Sequence, residues 1–184
     1  MTYEDPYNIG QQGTNYLEHA KMFVDMYPHI NTLVELARTS HTILELGTRS
    51  GSSTWAFLTG LPVNGALTSV DRDPRIAKEG WLPTQVRDDP RFTFIEGDDL
   101  DTDIIARYPK APDLVFIDTS HTYQQTLQEL YMVTDLQPLR IILHDWVLED
   151  VENAVMDFLG VTRQYRIEQI EKSQWGLAVL GPRI

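Results

Sequence analysis

The stretch Thr42-Ile43-Leu44-Glu45-Leu46-Gly47-Thr48-Arg49-Ser50-Gly51 decides the architecture. Its first half is a short, mostly apolar run of strand length. Gly47 and Gly51 then punctuate a turn, and an apolar helical pattern follows from Ser52 to Leu58. A strand, a glycine turn and a helix in that order form the opening unit of a parallel α/β sheet.

The unit repeats outward from there. Leu67–Asp71 reads as a second strand with a short helix near Pro74–Lys78, and Phe92–Glu96 as a third strand with a helix over Asp101–Tyr108. Asp113–Asp118 is almost wholly apolar, as a central parallel strand should be. The amphipathic stretch Thr122–Asp135 follows it. Leu139–His144 is a fifth strand and Glu149–Leu159 its helix. Tyr165–Ile170 and Trp175–Leu180, joined by the polar turn Glu171–Gln174, form an antiparallel hairpin. Upstream, Ile30–Ala37 and Tyr16–Met26 carry helical spacing, and residues 1–13 read as a mobile arm. The expected organisation is that arm followed by one domain over 14–184.

The chain has 184 residues and a formal net charge of −12. So acidic a chain lacks the basic face that phosphate neutralisation requires, which argues against nucleic acid as a partner. It argues equally against docking on anionic lipid. No apolar run approaches the roughly 18 residues of a spanning helix. No basic segment followed by an apolar core opens the sequence, so no secretory signal is expected. Cysteine is absent, which restricts any metal to oxygen and nitrogen ligands and makes a reducing, cytoplasmic setting the default.

In parallel α/β sheets, ligands bind at the carboxyl ends of the strands. That rule selects Glu45 to Gly51, Asp71, Asp98, Asp118 and His144-Asp145. The turn reads E-x-G-x-x-x-G, with Arg49 where a pyrophosphate-binding turn needs its middle glycine. A nucleoside without phosphate fits better. Asp71 at the end of the second strand suits a bidentate contact to ribose hydroxyls. Asp98, in Gly97-Asp98-Asp99, suits an exocyclic amine.

These segments resemble class I S-adenosylmethionine-dependent methyltransferases. ILELGTRSG is similar to the family's first motif, LTSVD to its second, and FIEGDD to the segment that contacts adenine. The resemblance covers roughly Leu33 to Leu180. It implies a Rossmann-like, doubly wound, mostly parallel seven-stranded sheet with a C-terminal antiparallel hairpin. It further implies S-adenosylmethionine contacts at Glu45, Gly47, Thr48, Gly51, Asp71, Arg72, Asp98 and Asp118, with Glu45 helping to hold the amino group of the methionine moiety.

The fourth and fifth strands end in Asp118-Thr119-Ser120-His121 and His144-Asp145-Trp146. Adjacent strands lie about 4.8 Å apart, so these acids and imidazoles converge. Carboxylates brought together repel unless a cation sits between them, and hard oxygen donors with few histidines suit Mg²⁺ or Mn²⁺. Asp118, His144 and Asp145 are the candidate ligands, and His121 the candidate base for a small hydroxylated substrate. D-T-S-H-x-Y and I-I-L-H-D resemble the metal-dependent O-methyltransferase branch, close to cephalosporin-hydroxylase-like and antibiotic-sugar enzymes. One departure is His144 directly before the last ligand. It stands open as a ligand, a group that orients one, or a substrate contact. Plainer alternatives are that Asp118 caps the following helix, that His121 is a solvated loop histidine and that His144 is simply packed. Trp146 is the candidate pocket wall, with Tyr3, Tyr7 and Tyr16 as a weak candidate lid. His19, His29 and His41 receive no role. Competing functions are a cofactor-binding module without turnover, a nicotinamide-dependent oxidoreductase and, against the charge, a nucleic-acid methyltransferase. Homo-oligomerisation to close the pocket is left open.

Overall fold

β1 (Thr42–Leu46) runs through the middle of a seven-stranded sheet, paired in parallel with β2 (Ala66–Asp71) on one side and β4 (Leu114–Ile117) on the other. β3 (Phe92–Glu96) extends the β2 side and β5 (Arg140–His144) the β4 side, both in parallel. β7 (Leu177–Pro182) then inserts antiparallel against β5, and β6 (Tyr165–Glu171) lies outside it. The order β3-β2-β1-β4-β5-β7-β6 reverses direction between β1 and β4. The carboxyl ends of those two strands therefore open a crevice. The computed structural model describes residues 25–74, 76, 82 and 84–183. The arm at 1–13, most of the helices expected at Tyr16–Met26 and Pro74–Lys78, the three lid tyrosines, His19 and Trp81 lie outside them.

Side chains alternate across the strands and fill two cores, one on each face. Ile43, Phe116 and Ile142 pack against Leu33 of α1 (Ile30–Arg38) and Trp55 and Phe57 of α2 (Ser52–Gly60). On the other face, Leu44, Val115 and Ile141 meet Leu130 of α5 (Tyr123–Asp135) and Val155 and Phe158 of α6 (Glu149–Thr162). At about 1.5–3 kcal/mol for each fully buried large apolar side chain, this burial, more than helix propensity, fixes the layers. Two single-turn helices, α3 (Thr84–Arg87) and α4 (Thr102–Ile105), and a 3₁₀ turn at Tyr27–His29 leading into α1 complete the described elements.

Two expected elements are shorter than their sequence pattern, while α6 extends past Leu159 to Thr162. The helix over Asp101–Tyr108 is only the single turn α4, because Tyr108 folds back to donate its hydroxyl to the Asp99 carbonyl at 2.8 Å and Pro109 follows. The strand expected from Trp175 starts at Leu177, since Trp175 and Gly176 belong to the hairpin turn. Among the described residues, no helix is long and apolar enough to cross a membrane.

Candidate active site

The turn after β1 is pinned by three strand ends. Gly47 donates its N–H to the Val70 carbonyl of β2, and Asp118 donates its N–H to the Leu46 carbonyl, each at 2.9 Å. Gly47 sits at φ +88, and a Cβ there would collide with the Asp118 carbonyl. Only glycine allows this approach of two backbones. Asp71 finishes the turn. One carboxylate oxygen accepts the N–H groups of Thr48 and Arg49, both at 2.9 Å, and the other accepts that of Asp73 at 2.9 Å. Arg49 is held at φ +42, its guanidinium 2.9 Å from Asp25.

Glu45 does not reach this surface. Strand alternation turns it toward α2, where it is fully buried and accepts from Ser53 (2.5 Å), Thr54 (2.7 Å) and Ser69. Burial pushes its carboxyl up to about 7, although the three hydroxyls pull the other way. Glu45, expected to help hold a methionine amino group, lies here beneath the turn with its carboxyl on α2 and Ser69.

A cleft of about 200 Å³ opens above the turn. Gly47, Asp71 and Arg72 line one side of it, and Asp118 and Gln125 the other, with Asp99 at one end. Four of the expected cofactor residues (Gly47, Asp71, Arg72 and Asp118) therefore share one cavity. Thr48 and Gly51 shape the turn behind it, with the Gly51 N–H on the Thr48 carbonyl at 2.7 Å. Asp98 is solvent-exposed and accepts the Leu100 N–H at 3.0 Å, and its neighbour Asp99 lines the cleft.

At the β4 and β5 ends, the imidazole of His121 bridges two carboxylates. Its Nε2 lies 3.1 Å from Asp118 Oδ1 and 3.1 Å from Asp145 Oδ2. His144 approaches the same pair from the buried side, with Nδ1 2.9 Å from Asp145 and 3.4 Å from Asp118. Burial alone would lower the His144 pKa, but hydrogen bonds to Asp118 and Asp145 outweigh it and push it up to about 10. Asp145 is also opposed by burial, and its hydrogen bond with His144 holds it below the usual carboxylate range. Asp118, His121 and Asp145 offer one donor atom each within 4.8 Å of one another, a set of hard ligands that fits a divalent cation. His144 Nε2 has no hydrogen-bond partner among the described residues.

The plainer alternatives fare differently from this cluster. Asp118 does not cap α5, whose first N–H is instead accepted by Asp150 of α6 at 3.2 Å. His121 is not a free loop side chain, being 29% exposed and paired to two acids. Trp146 packs into the α5–α6 core and does not line the cleft above the β1 turn. Trp175 and Val147 are exposed and joined by the Val147 N–H on the Trp175 carbonyl at 3.0 Å. Glu129 behind Thr119 and Asp99 on the wall were not singled out by sequence. The one signal for Glu129 was an acid on the otherwise apolar face of α5.

A crevice at the reversal point of a mostly parallel sheet, with Asp71 on its wall and the Asp118–His121–Asp145 cluster sharing Asp118 with it, is where open α/β sheets bind ligands. Residues 44–145, more than half the chain, match the family model described as a methyltransferase domain, and the chain belongs to that family. Its fold is shared with solved structures. An O-methyltransferase from Bacillus cereus, solved with SAH, superposes with a TM-score of 0.72 at 15% identity over 97% of this chain and 96% of that one. The O-methyltransferase TomG from Streptomyces achromogenes, solved with SAM, gives 0.70 at 15% identity over 93% and 91%. The SAH-bound methyltransferase PaMTH1 from Podospora anserina gives 0.66 at 16% identity over 92% and 86%. No curated protein matches the sequence.

Proposed function

We propose that this chain is an S-adenosylmethionine-dependent O-methyltransferase acting on a small hydroxylated molecule. One observation carries the reading: Asp118 lines the nucleoside-sized cleft and also belongs to the Asp118–His121–Asp145 cluster. A methyl donor in the first would thus lie beside a hydroxyl activated in the second.

Gly47, Asp71 and Asp118 line the cleft together, which supports placing the donor there. S-adenosylmethionine supplies a methyl group on a sulfonium, which the acceptor oxygen takes as the carbon–sulfur bond breaks. Asp71 orients the ribose, and Gly47 and Thr48 shape the floor beneath the methionine moiety. His121 takes the proton of the acceptor hydroxyl on Nδ1, while its Nε2–H faces Asp118 and Asp145, which hold the charge the ring gains. A divalent cation, magnesium or manganese, would be held by Asp118 and Asp145 and would lower the pKa of the hydroxyl. The 4.8 Å set also supports a second reading, in which His121 is the third ligand and His144 orients Asp145 from behind. Positioning of acceptor and donor side by side supplies much of the rate in either case.

Labelled methyl transfer from S-adenosylmethionine to a panel of sugars, catechols and hydroxylated amides, with and without EDTA, tests this. Transfer lost on chelation and restored by Mg²⁺ or Mn²⁺ supports the metal-assisted form. Transfer insensitive to chelation removes the cation and keeps His121 as base. No binding of S-adenosylhomocysteine overturns the reading altogether.

A further inference from the structure

Beneath the end of β5 lies a second histidine that the proposed chemistry does not use. His29 closes the 3₁₀ turn before α1 and is fully buried. Its Nδ1 is 2.6 Å from Glu171 Oε2, at the end of β6. The other Glu171 oxygen accepts the Thr32 hydroxyl of α1 and the Gln169 amide N–H, the latter at 2.8 Å. Strand alternation turns His144 to the same face as Ile142, toward α1. There the two imidazoles meet edge to face, with centroids 5.7 Å apart and planes at 77°. His144 Nδ1 in turn lies against Asp145 and Asp118.

The sheet register explains why His29 is needed to complete this line. Glu171 and His144 are both paired to Leu177, one from β6 and one from β5. They therefore stand on one face two strands apart, about 10 Å, too far to touch. His29 spans the gap above Leu177. Carboxylates only accept, so each imidazole carries a hydrogen on Nδ1 toward its own acid. Glu171 thereby fixes the orientation of the His29 ring, and that ring packs against His144. Packing alone does not call for these groups. Both Nε2 atoms are buried with no hydrogen-bond partner among the described residues, which costs stability. Apolar side chains of similar volume fill such a position as well or better.

We propose that His29, anchored by Glu171, is a positioning residue for methyl transfer: it holds the His144 ring with Nδ1 on Asp118 and Asp145, and through those acids it aims His121. The kinetic part rests on the reading of that cluster as the acceptor site, and the placing of His121 does not.

Initial rates on an acceptor from the panel above, measured with the full chain, test the kinetic part. Glu171→Gln keeps an acceptor for the His29 Nδ1–H and should retain kcat within about threefold of wild type. Glu171→Leu strands that N–H and should lower kcat by about 10–100-fold, with KM for S-adenosylmethionine within about twofold. His29→Leu combined with Glu171→Leu removes both partners and leaves neither one stranded. Its urea midpoint should stay at or above that of wild type, and its kcat should show the same loss. Wild-type kcat in that double variant overturns the proposal, as does a loss of kcat that appears only where the urea midpoint also falls.

Proton–carbon spectra of the histidine rings give a readout independent of turnover. The His121 signals should shift in Glu171→Leu and in the double variant and hold their wild-type positions in Glu171→Gln. Unmoved His121 signals in Glu171→Leu overturn the proposal. If wild-type protein does not bind S-adenosylhomocysteine, the proposed function fails, and the His121 signals alone then decide the positioning.

Discussion

His121 and Asp145 both hold a left-handed backbone, at φ +56 and φ +58, and their side chains meet at 3.1 Å. That conformation costs a non-glycine residue on the order of 1 kcal/mol, and the surrounding structure must enforce it. At Asp145, the carbonyl accepts the Leu148 N–H at 2.9 Å, closing a turn that leads into α6. Each strand thus ends in a bend that aims a functional group sideways, across the gap between β4 and β5.

The first prediction concerns that contact. His121→Ala and Asp145→Asn should each lower kcat/KM for methyl transfer by about 10²–10⁴-fold, measured from initial rates with labelled donor. Thermal unfolding should change little for His121→Ala, whereas Asp145→Asn also removes a buried partner of His144 and should lower the midpoint. Rates equal to wild type in both variants would remove the cluster from the reaction.

Gly47→Ala should destabilise the fold by about 3 kcal/mol or more, since its Cβ meets the Asp118 carbonyl and its φ is +88. Gly160→Ala is the control. It lies in α6 with nothing within 4 Å of an added Cβ, and should stabilise by about 0.4–1 kcal/mol. Urea midpoints of the two variants should move in opposite directions.

Glu45 gives the protein a pH signature unrelated to turnover. Its carboxyl is raised from 4.5 to about 7 by burial, so the folded state binds the proton more tightly than the unfolded chain. The resulting stability is complete below pH 4.5 and is lost as pH rises to about 7, on the order of 3 kcal/mol in all. Glu45→Gln should flatten the stability profile across that window in equilibrium unfolding. An unchanged slope would mean the carboxyl ionises freely where it lies.

Asp71→Ala frees the N–H groups of Thr48 and Arg49 and removes the ribose acceptor. It should weaken S-adenosylhomocysteine binding by about 10–100-fold and cost about 1–3 kcal/mol of stability, the two read by calorimetry and by urea unfolding.

Most of this architecture was legible because its signals are local. Apolar runs marked β1 to β5 to within a residue or two, and the glycines of the first turn announced the crevice. Strand order was not legible at the C-terminal end: nothing in the hydropathy of Leu177–Pro182 says that it slips between β5 and β6. Asp98 and Asp99 are chemically identical neighbours, and only the direction of the chain leaving β3 decides which one faces the cavity. Glu45 was visible as a strand-end acid, but its fate depended on Ser69 directly across in β2 and on the hydroxyls of α2, partners 24, 9 and 8 positions away. Asp118, His121 and Asp145 were readable as a group because sheet geometry alone brings their strand ends together.

The insertion of β7 beside β5 also has a consequence during synthesis. Until Leu177–Pro182 has left the ribosome, the Ile141-Ile142-Leu143 edge has no neighbour on that side and offers bare amide and carbonyl groups to any passing strand. Nascent chains paused short of that point are therefore the species in which aggregation should begin, and a chaperone that shields β5 would act at that stage.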